Sequence, residues 1–261
     1  MNRRIFSTLF LGIIVAALPA VAQEAPGGQS VPVDLTDPAR AAEDRARDGF
    51  SKPMEVFEWI GVEPGDVVVD FHAGSGYNTW ILSKWVGSEG VVFAEAPEQY
   101  AEDLKTRLES GDLAGAENVV YVDQVSALPT DSLDLFFTSR NYHDIPAEAI
   151  PELLAEVDRA LVPGGTFVVI DARAAEGRDT EAHRIADQVV IDEVTAAGFE
   201  LVDQSELLAN PEDDHVGPKW DQREQLDQSL IKFRVPEEGL SEEVEPVDTT
   251  GPTEGGPPTG S

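Results

Sequence analysis

The sequence contains no cysteine, so no disulfide can form and attachment through a lipidated cysteine is excluded. The chain has only four histidines, and without thiols it lacks the ligands typical of a structural zinc site. We therefore expect no structural metal.

Positive charge is also scarce, since 18 Lys and Arg stand against 50 Asp and Glu and the formal net charge is −32. Such a charge repels nucleic acid and anionic membrane surfaces, which argues against both as partners. An acidic surface suited to a salty environment accounts for this composition. The 261 residues, 41% of them hydrophobic, are still enough to bury one substantial core.

Long apolar runs are missing except near the start. Residues 1–22 have two arginines at positions 3 and 4, continue with an apolar run and end in an A-x-A motif, an order typical of a cleavable secretory signal peptide. A membrane anchor is the alternative, but the run is shorter than the roughly 20 residues that a bilayer requires. The paired arginines resemble a twin-arginine signal, although Asn2 and Ser7 do not fit it. We expect an exported protein, periplasmic or secreted, without stable membrane insertion after cleavage.

The rest of the chain divides into three parts by composition. Residues 23–40 are rich in Pro, Gly and polar residues and are predicted to be a linker. Residues 237–261 contain acids, Pro, Gly and Thr with almost nothing apolar, which predicts a disordered acidic tail. The folded domain is expected between them, over residues 41–236.

Short apolar runs alternate with amphipathic helical patterns in this domain, which predicts a Rossmann-like, doubly wound and mostly parallel α/β sheet. Helical spacing marks the second half of 41–60, and a helix is predicted over about 180–197. The last two predicted strands have no strong helical pattern between them, which indicates an antiparallel edge hairpin. The predicted strands are Val67–Phe71, Val91–Glu95, Val119–Val122, Leu133–Thr138, Thr166–Asp171, Phe199–Asp203 and Ser229–Val235.

The first predicted strand runs into a glycine turn, DFHAGSG, followed by a helix. Gly74 and Gly76 let the backbone approach a ligand, and the helix start offers free N–H groups. Glu95 closes the second strand, where a carboxylate can accept two hydrogen bonds from a ribose diol. The alternative is a solvated acid in an acidic chain. Thr79 occupies the third glycine position of the dinucleotide fingerprint, so NAD and FAD are disfavoured.

These features together resemble the class I S-adenosylmethionine-dependent methyltransferases. The resemblance is carried by the order of elements, the motif D-x-x-A-G-S-G, the acid ending the second strand, the Leu-Pro pair before LDLFF, and LVPGGTFVVID. More narrowly, the segments RDGFSKPMEVFEWIGVEPGDVVVD, NYHDI, EAHRI and NPEDD resemble a group of signal-peptide-bearing bacterial methyltransferases. The similarity covers about residues 44–236, nearly all of the predicted domain.

The resemblance implies S-adenosylmethionine as cofactor. The glycine turn would line its methionine and ribose part, the acid after the second strand would bind the ribose hydroxyls, and the segment after the third strand would lie beside the adenine. The residues assigned in this way are Asp70, His72, Gly74, Gly76, Glu95, Asp123 and Gln124. Gln124 stands where the family usually has an acid, and a glutamine oxygen can accept the same hydrogen bond. His72 replaces the first glycine of the family turn, and its ring either crowds the cofactor, faces away or faces the acceptor.

The methyl acceptor is expected near the segment that follows the fourth strand. His143 is a candidate base, with Asp144 fixing its tautomer and with Asn141 and Tyr142 positioning the acceptor. The alternative is that His143 and Asp144 cap the next helix.

Two further groups of polar residues lie later in the chain. Arg184, on the helix predicted after the fifth strand, is expected either to bind an acidic substrate group or to form a surface salt bridge. Residues 213–215, with Asp221, have metal-ligand types but no known ligand spacing, so a solvated acidic loop is favoured.

The sequence thus predicts a methyltransferase that acts on an unidentified small-molecule or cell-envelope acceptor. The signal peptide raises a difficulty, because the cofactor is made in the cytoplasm. The alternative function is an exported, non-catalytic binding protein that retains the methyltransferase fold. A weaker third option is an enzyme with other chemistry. The oligomeric state is left open.

Overall fold

The computed structural model describes residues 33–110, 113, 116–218 and 223–237. The predicted signal peptide and all but the first residue of the predicted tail lie outside these ranges. Val33 and Leu35, in the predicted linker, pack against the core, and nearby Arg40 is buried and paired with Asp48. Residues 33–40 are therefore part of the folded unit. Among the described residues, no helix is long and apolar enough to cross a membrane.

One seven-stranded sheet organises the domain, in the order β3-β2-β1-β4-β5-β9-β8. Strands β1 to β5 pair in parallel, whereas β9 pairs antiparallel with both β5 and β8. The predicted fold class and antiparallel edge hairpin are confirmed. The strands of this sheet are β1 (Val67–Phe71), β2 (Val91–Glu95), β3 (Val119–Val122), β4 (Leu133–Ser139), β5 (Leu161–Ala172), β8 (Glu200–Gln204) and β9 (Gln228–Arg234).

Helices cover both faces of the sheet, because neighbouring strand residues point to opposite sides. Val68 belongs to a core shared with α2, α3 and α4, while the adjacent Val69 belongs to a core shared with α5 and α6. The helices are α1 (Ala42–Ser51), α2 (Pro53–Ile60), α3 (Tyr77–Val86), α4 (Glu98–Ser110), α5 (Ile150–Ala160) and α6 (Asp187–Ala196). Parallel strands covered in this way bring their carboxyl ends to one edge.

The helical pattern before β1 forms two helices and not one. Lys52 has a left-handed φ of 43° and separates α1 from α2, which begins at Pro53. Proline favours this break because it restricts the preceding residue and suits a helix start.

The helix predicted over about 180–197 is wrong in its first part. A two-stranded hairpin of β6 (Arg178–Asp179) and β7 (Arg184–Ile185) precedes α6. Asp179 Oδ1 accepts the N–H groups of Glu181 and Ala182, so this side chain stabilises a turn in competition with a helix. His183 consequently lies in a hairpin turn, with a φ of 56°.

Candidate functional site

The glycine turn after β1 uses its two glycines differently. Gly74 has a φ of 58°, and a Cβ placed there would meet nothing within 4 Å. Gly76 has a φ of 89°, and a Cβ there would lie 2.9 Å from Leu104 Cδ1 of α4. Of the described residues, Gly74 lines the large cavity at this edge and Gly76 does not. Gly76 thus serves helix packing, while Gly74 keeps the backbone open to a ligand.

Asp70, near the end of β1, is a buried carboxylate that reaches the cavity. Thr79 Oγ1 donates to Asp70 Oδ2 at 2.6 Å. Burial raises the pKa of Asp70 to about 7, despite the opposing effects of the Thr79 hydroxyl and the Arg47 charge. A positively charged ligand group would favour the ionised form. The position therefore fits the cofactor role predicted for Asp70.

Glu95 and His72 form a second pair at the ends of β2 and β1. The backbone N–H of His72 donates to Glu95 Oε2 at 3.0 Å, and His72 Nε2 lies 3.9 Å from the same oxygen. Burial raises the pKa of Glu95 to about 7 and lowers that of His72 to about 4, so the ring is neutral at pH 7. Within the described part of the chain, the cavity is lined by His72 but not by Glu95. The ribose role of Glu95 stays a prediction.

His72 adopts a left-handed φ of 54°, a conformation that favours the glycine usual at this position. Its ring stacks on Phe71, with the ring centres 4.0 Å apart. The ring therefore lies along the cavity wall and is supported by Phe71.

Asp123 and Gln124 follow β3 and are exposed. The β3 residue Val122 pairs with Glu95, and the Asp123 charge contributes to the raised pKa of Glu95. Both residues thus lie near Glu95 at the same edge of the sheet, though neither is among the described residues that line the cavity. Their predicted position beside an adenine stays a prediction.

The cavity itself has a volume of about 650 Å³, within the usual range for small-molecule sites. Three arginines from separate parts of the chain line it: Arg47 of α1, Arg140 after β4, and Arg223 before β9. Burial lowers the pKa of Arg140 to about 9, and the charges of Arg47 and Arg223 act in the same direction. Three aspartates, Asp70, Asp103 and Asp144, line the same cavity, so arginines and acids are equal in number among its described lining residues although the whole chain has a net charge of −32. The three arginines can bind an anionic group of a ligand, and the aspartates can bind a cationic one.

Asn141 and Tyr142 differ in their access to the cavity. Asn141 lines it, and its Nδ2 donates to the carbonyls of His72 and Ser139 at 3.1 and 2.7 Å. Tyr142 is completely buried in the core on the α5 and α6 side of the sheet. The Arg178 guanidinium lies 5.4 Å from the centre of its ring. The structure therefore contradicts an acceptor-positioning role for Tyr142, whose aromatic body is used for packing.

His143 is also completely buried, and Asp171 at the end of β5 holds its ring. His143 Nδ1 lies 2.7 Å from Asp171 Oδ1, and its backbone N–H donates to Asp171 Oδ2 at 2.9 Å. Asp171 is thus the carboxylate nearest to the ring, whereas Asp144, which is predicted to fix the tautomer, lies 3.2 Å from Nε2 on the other side. The sequence signal that was missed is an acid closing the buried strand FVVID.

Asp144 and His183 lie on the other side of the His143 ring and face the cavity. His143 Nε2 is 3.2 Å from both His183 Nδ1 and Asp144 Oδ2, while His183 Nδ1 is 2.6 Å from Asp144 Oδ1. In the described structure, no side chain caps the helical turn at Ala147–Ala149, so the capping alternative is not observed. We call His143, Asp144 and His183 the histidine cluster. Asp144 and His183 separate His143 from the cavity, and of the two histidines in the cluster His183 is the one that lines it.

Arg184 is completely buried and forms a bidentate ion pair with Asp213, in which Nη1 and Nη2 donate to the two carboxylate oxygens at 2.9 and 3.0 Å. Neither of its expected roles, substrate binding or a surface salt bridge, is observed. Asp213 is likewise buried, and His215 pairs with Asp227 at 2.9 Å, so the acidic loop is anchored at these points and is not simply solvated. Asp221 lies outside the described residues.

Comparison with known proteins gives a consistent result. The sequence profile described as protein-L-isoaspartate(D-aspartate) O-methyltransferase matches residues 51–195, more than half of the chain. A protein-L-isoaspartate O-methyltransferase of Thermotoga maritima is 32% identical over 110 residues, 41% of this chain and 33% of that protein. The ubiquinone/menaquinone biosynthesis C-methyltransferase UbiE of Hydrogenovibrio crunogenus is 32% identical over 118 residues, 44% of this chain and 45% of that protein. The chain thus spans less than half of the length of these relatives.

Solved structures share the fold at low sequence identity. A SAM-dependent methyltransferase from Aquifex aeolicus superposes with a TM-score of 0.54 and 19% identity, covering 72% of this chain and 97% of that one. The [4+2]-cyclase SpnF has a TM-score of 0.55 and 15% identity, covering 72% and 80%. Since a methyltransferase and a cyclase share this fold, these likenesses establish architecture alone.

Proposed function

The chain belongs to the protein-L-isoaspartate(D-aspartate) O-methyltransferase family, and from this premise we propose that it transfers a methyl group from S-adenosylmethionine to an anionic acceptor. The observation that carries the proposal is the cavity of about 650 Å³, which the glycine turn and the segment after β4 both line. A cofactor and an acceptor can therefore meet in one space, as methyl transfer requires.

The described residues fit the cofactor. Gly74 leaves room for close approach, Asp70 supplies a buried carboxylate for the cationic methionine end, and Glu95 lies at the strand end where a ribose diol is bound in this fold. When bound, S-adenosylmethionine supplies a methyl group activated by the sulfonium charge. The protein's own contribution is to align the acceptor and exclude water.

An anionic acceptor is supported by Arg47, Arg140 and Arg223. A carboxylate is the simplest such group, and it needs no base because its oxygen already carries the attacking electron pair. That oxygen would accept the methyl group, and the electrons of the carbon–sulfur bond would remain on the sulfur of the cofactor product. This agrees with the burial of His143 behind Asp144 and His183. We propose a small-molecule or cell-envelope carboxylate as the acceptor.

Export is a further part of the proposal, supported by the order of charged, apolar and small residues in 1–22. Fusion of residues 1–22 to a reporter that works only outside the cytoplasm tests it. An inactive reporter would limit the proposed reaction to the cytoplasm, where the cofactor is made.

The central experiment is calorimetric titration of the protein with S-adenosylmethionine and S-adenosylhomocysteine. We expect saturable binding of both, and Glu95→Gln should weaken it by about 10-fold because one charge-assisted hydrogen bond is lost. The exposed acid Glu89 provides the control, since Glu89→Gln should bind as the parent does. No heat and no thermal stabilisation at millimolar ligand would contradict the proposal, because a ligand specific for the folded state must stabilise it.

Catalysis is tested by transfer of labelled methyl groups to an isoaspartyl peptide, with the matching aspartyl peptide and a cell-envelope fraction as further acceptors. Transfer to any of them that is lost on base hydrolysis of methyl esters supports a carboxylate acceptor. Tight cofactor binding without transfer to any acceptor would favour the non-catalytic binding protein.

A further inference from the structure

The histidine cluster presents three ligand atoms of the kind that bind transition metals. His143 Nε2, His183 Nδ1 and a carboxylate oxygen of Asp144 all lie within 4.8 Å of one another. The three residues come from two separate segments, the turn after β4 and the hairpin turn between β6 and β7. We propose that they bind one divalent first-row transition-metal ion at the acceptor end of the cavity.

The distances within the cluster fit an ion at its centre. The ligand atoms are separated by 3.2 Å for His143 Nε2 to His183 Nδ1, 3.2 Å for His143 Nε2 to Asp144 Oδ2 and 2.6 Å for His183 Nδ1 to Asp144 Oδ1. Ligands at right angles with bonds of about 2.1 Å are about 3.0 Å apart, which is the arrangement of two histidines and one carboxylate on one face of a metal. These distances involve both carboxylate oxygens of Asp144, so the two nitrogens and one of these oxygens can reach one ion after a small rotation of the carboxylate.

The hydrogen-bond arrangement points a nitrogen lone pair into the cluster. His143 Nδ1 lies 2.7 Å from the buried carboxylate of Asp171, so in the neutral ring the hydrogen is on Nδ1 and a lone pair is on Nε2. That lone pair faces Asp144 Oδ2, which is an acceptor as well, at 3.2 Å. A hydrogen, from His183 Nδ1 at 3.2 Å or as an additional proton, or a metal ion at the centre of the cluster satisfies this lone pair.

Asp171 strengthens the case for the metal. Metal-binding histidines usually donate their other ring N–H to a carboxylate, which fixes the ring and raises its basicity as a ligand. Asp171 holds His143 in this way with both oxygens, through the ring and through the backbone N–H. The cluster thus has the support typical of a metal ligand in addition to the ligands themselves.

The ion would face the cavity, because both Asp144 and His183 line it. Three protein ligands leave positions open on the metal, and these could hold an oxygen of the anionic acceptor. This role rests on the proposed function, whereas binding of the ion does not. Imidazole nitrogens favour zinc, cobalt, nickel, copper or iron over magnesium and calcium, which prefer oxygen.

The chain offers a matched control for His183. His215 also has a left-handed φ, 60° against 56°, and it is also paired with a carboxylate. The exposed fractions of the two side chains are 29% and 28%. Asparagine tolerates this backbone conformation, so His183→Asn and His215→Asn make the same change with little backbone strain. Only the first removes a ligand of the proposed ion.

The experiment is calorimetric titration of the full chain, freed of metal by a chelator, with Zn²⁺, Co²⁺ and Mg²⁺. We expect one Zn²⁺ or Co²⁺ per chain, no binding of Mg²⁺, and a Co²⁺ visible spectrum typical of nitrogen and oxygen ligands. His183→Asn should weaken Zn²⁺ binding by roughly 100-fold or more, since loss of even a supporting residue costs 10–100-fold. His215→Asn should bind Zn²⁺ as the parent does.

Equal Zn²⁺ affinity in His183→Asn and the parent, loss of binding in His215→Asn, or no Zn²⁺ or Co²⁺ binding at all would overturn the inference. Thermal unfolding of the parent, His183→Asn and His215→Asn without metal establishes that each protein is folded. Asp144→Asn provides a second variant that lacks a ligand of the proposed ion. Titration with S-adenosylhomocysteine in chelator separates the two proposals. Binding of Zn²⁺ without binding of S-adenosylhomocysteine contradicts the methyltransferase function alone. Binding of S-adenosylhomocysteine without binding of Zn²⁺ contradicts the metal site alone.

Discussion

At the cofactor end of the cavity, the carboxylates of Asp70 and Glu95 accept hydrogen bonds from a hydroxyl and a backbone amide. At the acceptor end, the carboxylates of Asp144 and Asp171 lie against histidine nitrogens at 2.6–3.2 Å. Burial raises the pKa of both acids at the cofactor end to about 7. The two acids at the cofactor end are therefore ionised more readily when a cationic ligand is near, while the carboxylates at the acceptor end already belong to a connected polar network with histidines.

The largest expected effect is the loss of stability when the buried ion pair of Arg184 and Asp213, next to the acceptor end, is broken. Arg184→Ala leaves the buried Asp213 carboxylate unpaired, and breaking a buried ion pair in this way costs about 3–5 kcal/mol. Urea unfolding measures the loss. The exposed Arg234 is the control, and Arg234→Ala should cost less than about 0.5 kcal/mol. A similar small cost for Arg184→Ala would show that the acceptor end does not depend on this pair.

The second prediction concerns the buried acid of the cofactor end. The pKa of Asp70 is raised from 3.8 to about 7, so between these values the folded state binds more protons than the unfolded state. The free energy of unfolding should therefore fall as pH rises from about 4 to 7, by up to roughly 4 kcal/mol from this group. Asp70→Asn removes this contribution.

Urea unfolding at pH 5 and pH 8 checks the sign. Asp70→Asn should lose less stability than the parent between these two values, and it should bind S-adenosylmethionine more weakly. Glu89→Gln, at an exposed acid, should follow the parent at both values. An unchanged pH dependence in Asp70→Asn would mean that Asp70 is ionised at pH 5.

The third prediction separates packing from ligand access within the glycine turn. Both Gly74→Ala and Gly76→Ala place a side chain at positive φ, at a cost of roughly 1 kcal/mol each. Gly76→Ala also brings a Cβ to 2.9 Å from Leu104, which adds roughly 1–3 kcal/mol. In thermal unfolding, Gly76→Ala should be less stable than Gly74→Ala. In calorimetry, the loss of cofactor affinity relative to the loss of stability should be larger for Gly74→Ala. The opposite ranking in both assays would exchange the two roles.

The smallest expected change in stability is that of His72→Gly. Relief of the left-handed strain is offset by the lost stacking on Phe71 and by the greater freedom of glycine in the unfolded chain, so the net change should be below about 1 kcal/mol. Cofactor affinity should be retained or improved, because the ring no longer narrows the cavity. A 10-fold weaker binding would show instead that the ring contacts the cofactor.

The cofactor end was the more predictable from sequence, because its signals are local. The turn DFHAGSG and the acid ending β2 come from consecutive β-α-β elements whose pattern fixes their place at the sheet edge. The acceptor end depends on pairings between residues distant in sequence, such as His143 with Asp171 and His183. The hairpin that places His183 arises because a single side chain, Asp179, competes with a helix, and periodicity does not record this.

Tyr142 is a second case in which the sequence alone did not predict where a side chain lies. It stands between Asn141, which lines the cavity, and His143, which supports the histidine cluster, yet its own side chain lies in the core. A short 3₁₀ turn over Tyr142–Asp144 sends successive side chains in different directions. Neighbourhood in sequence therefore did not predict which of these polar residues reaches the ligand.

The position of β9 in the sheet determines when the sheet can be completed during synthesis. This strand, Gln228–Arg234, is the last of the chain's described strands, but it lies inside the sheet and pairs with both β5 and β8. As the ribosome delivers the chain from its N-terminus, β5 and β8 have no partner between them until β9 emerges. Until then the growing chain exposes unpaired strand edges that invite pairing with other chains. The sheet is therefore completed only after the chain has been synthesised past Arg234, and truncation before Gln228 would leave β5 and β8 each without the antiparallel partner that joins them.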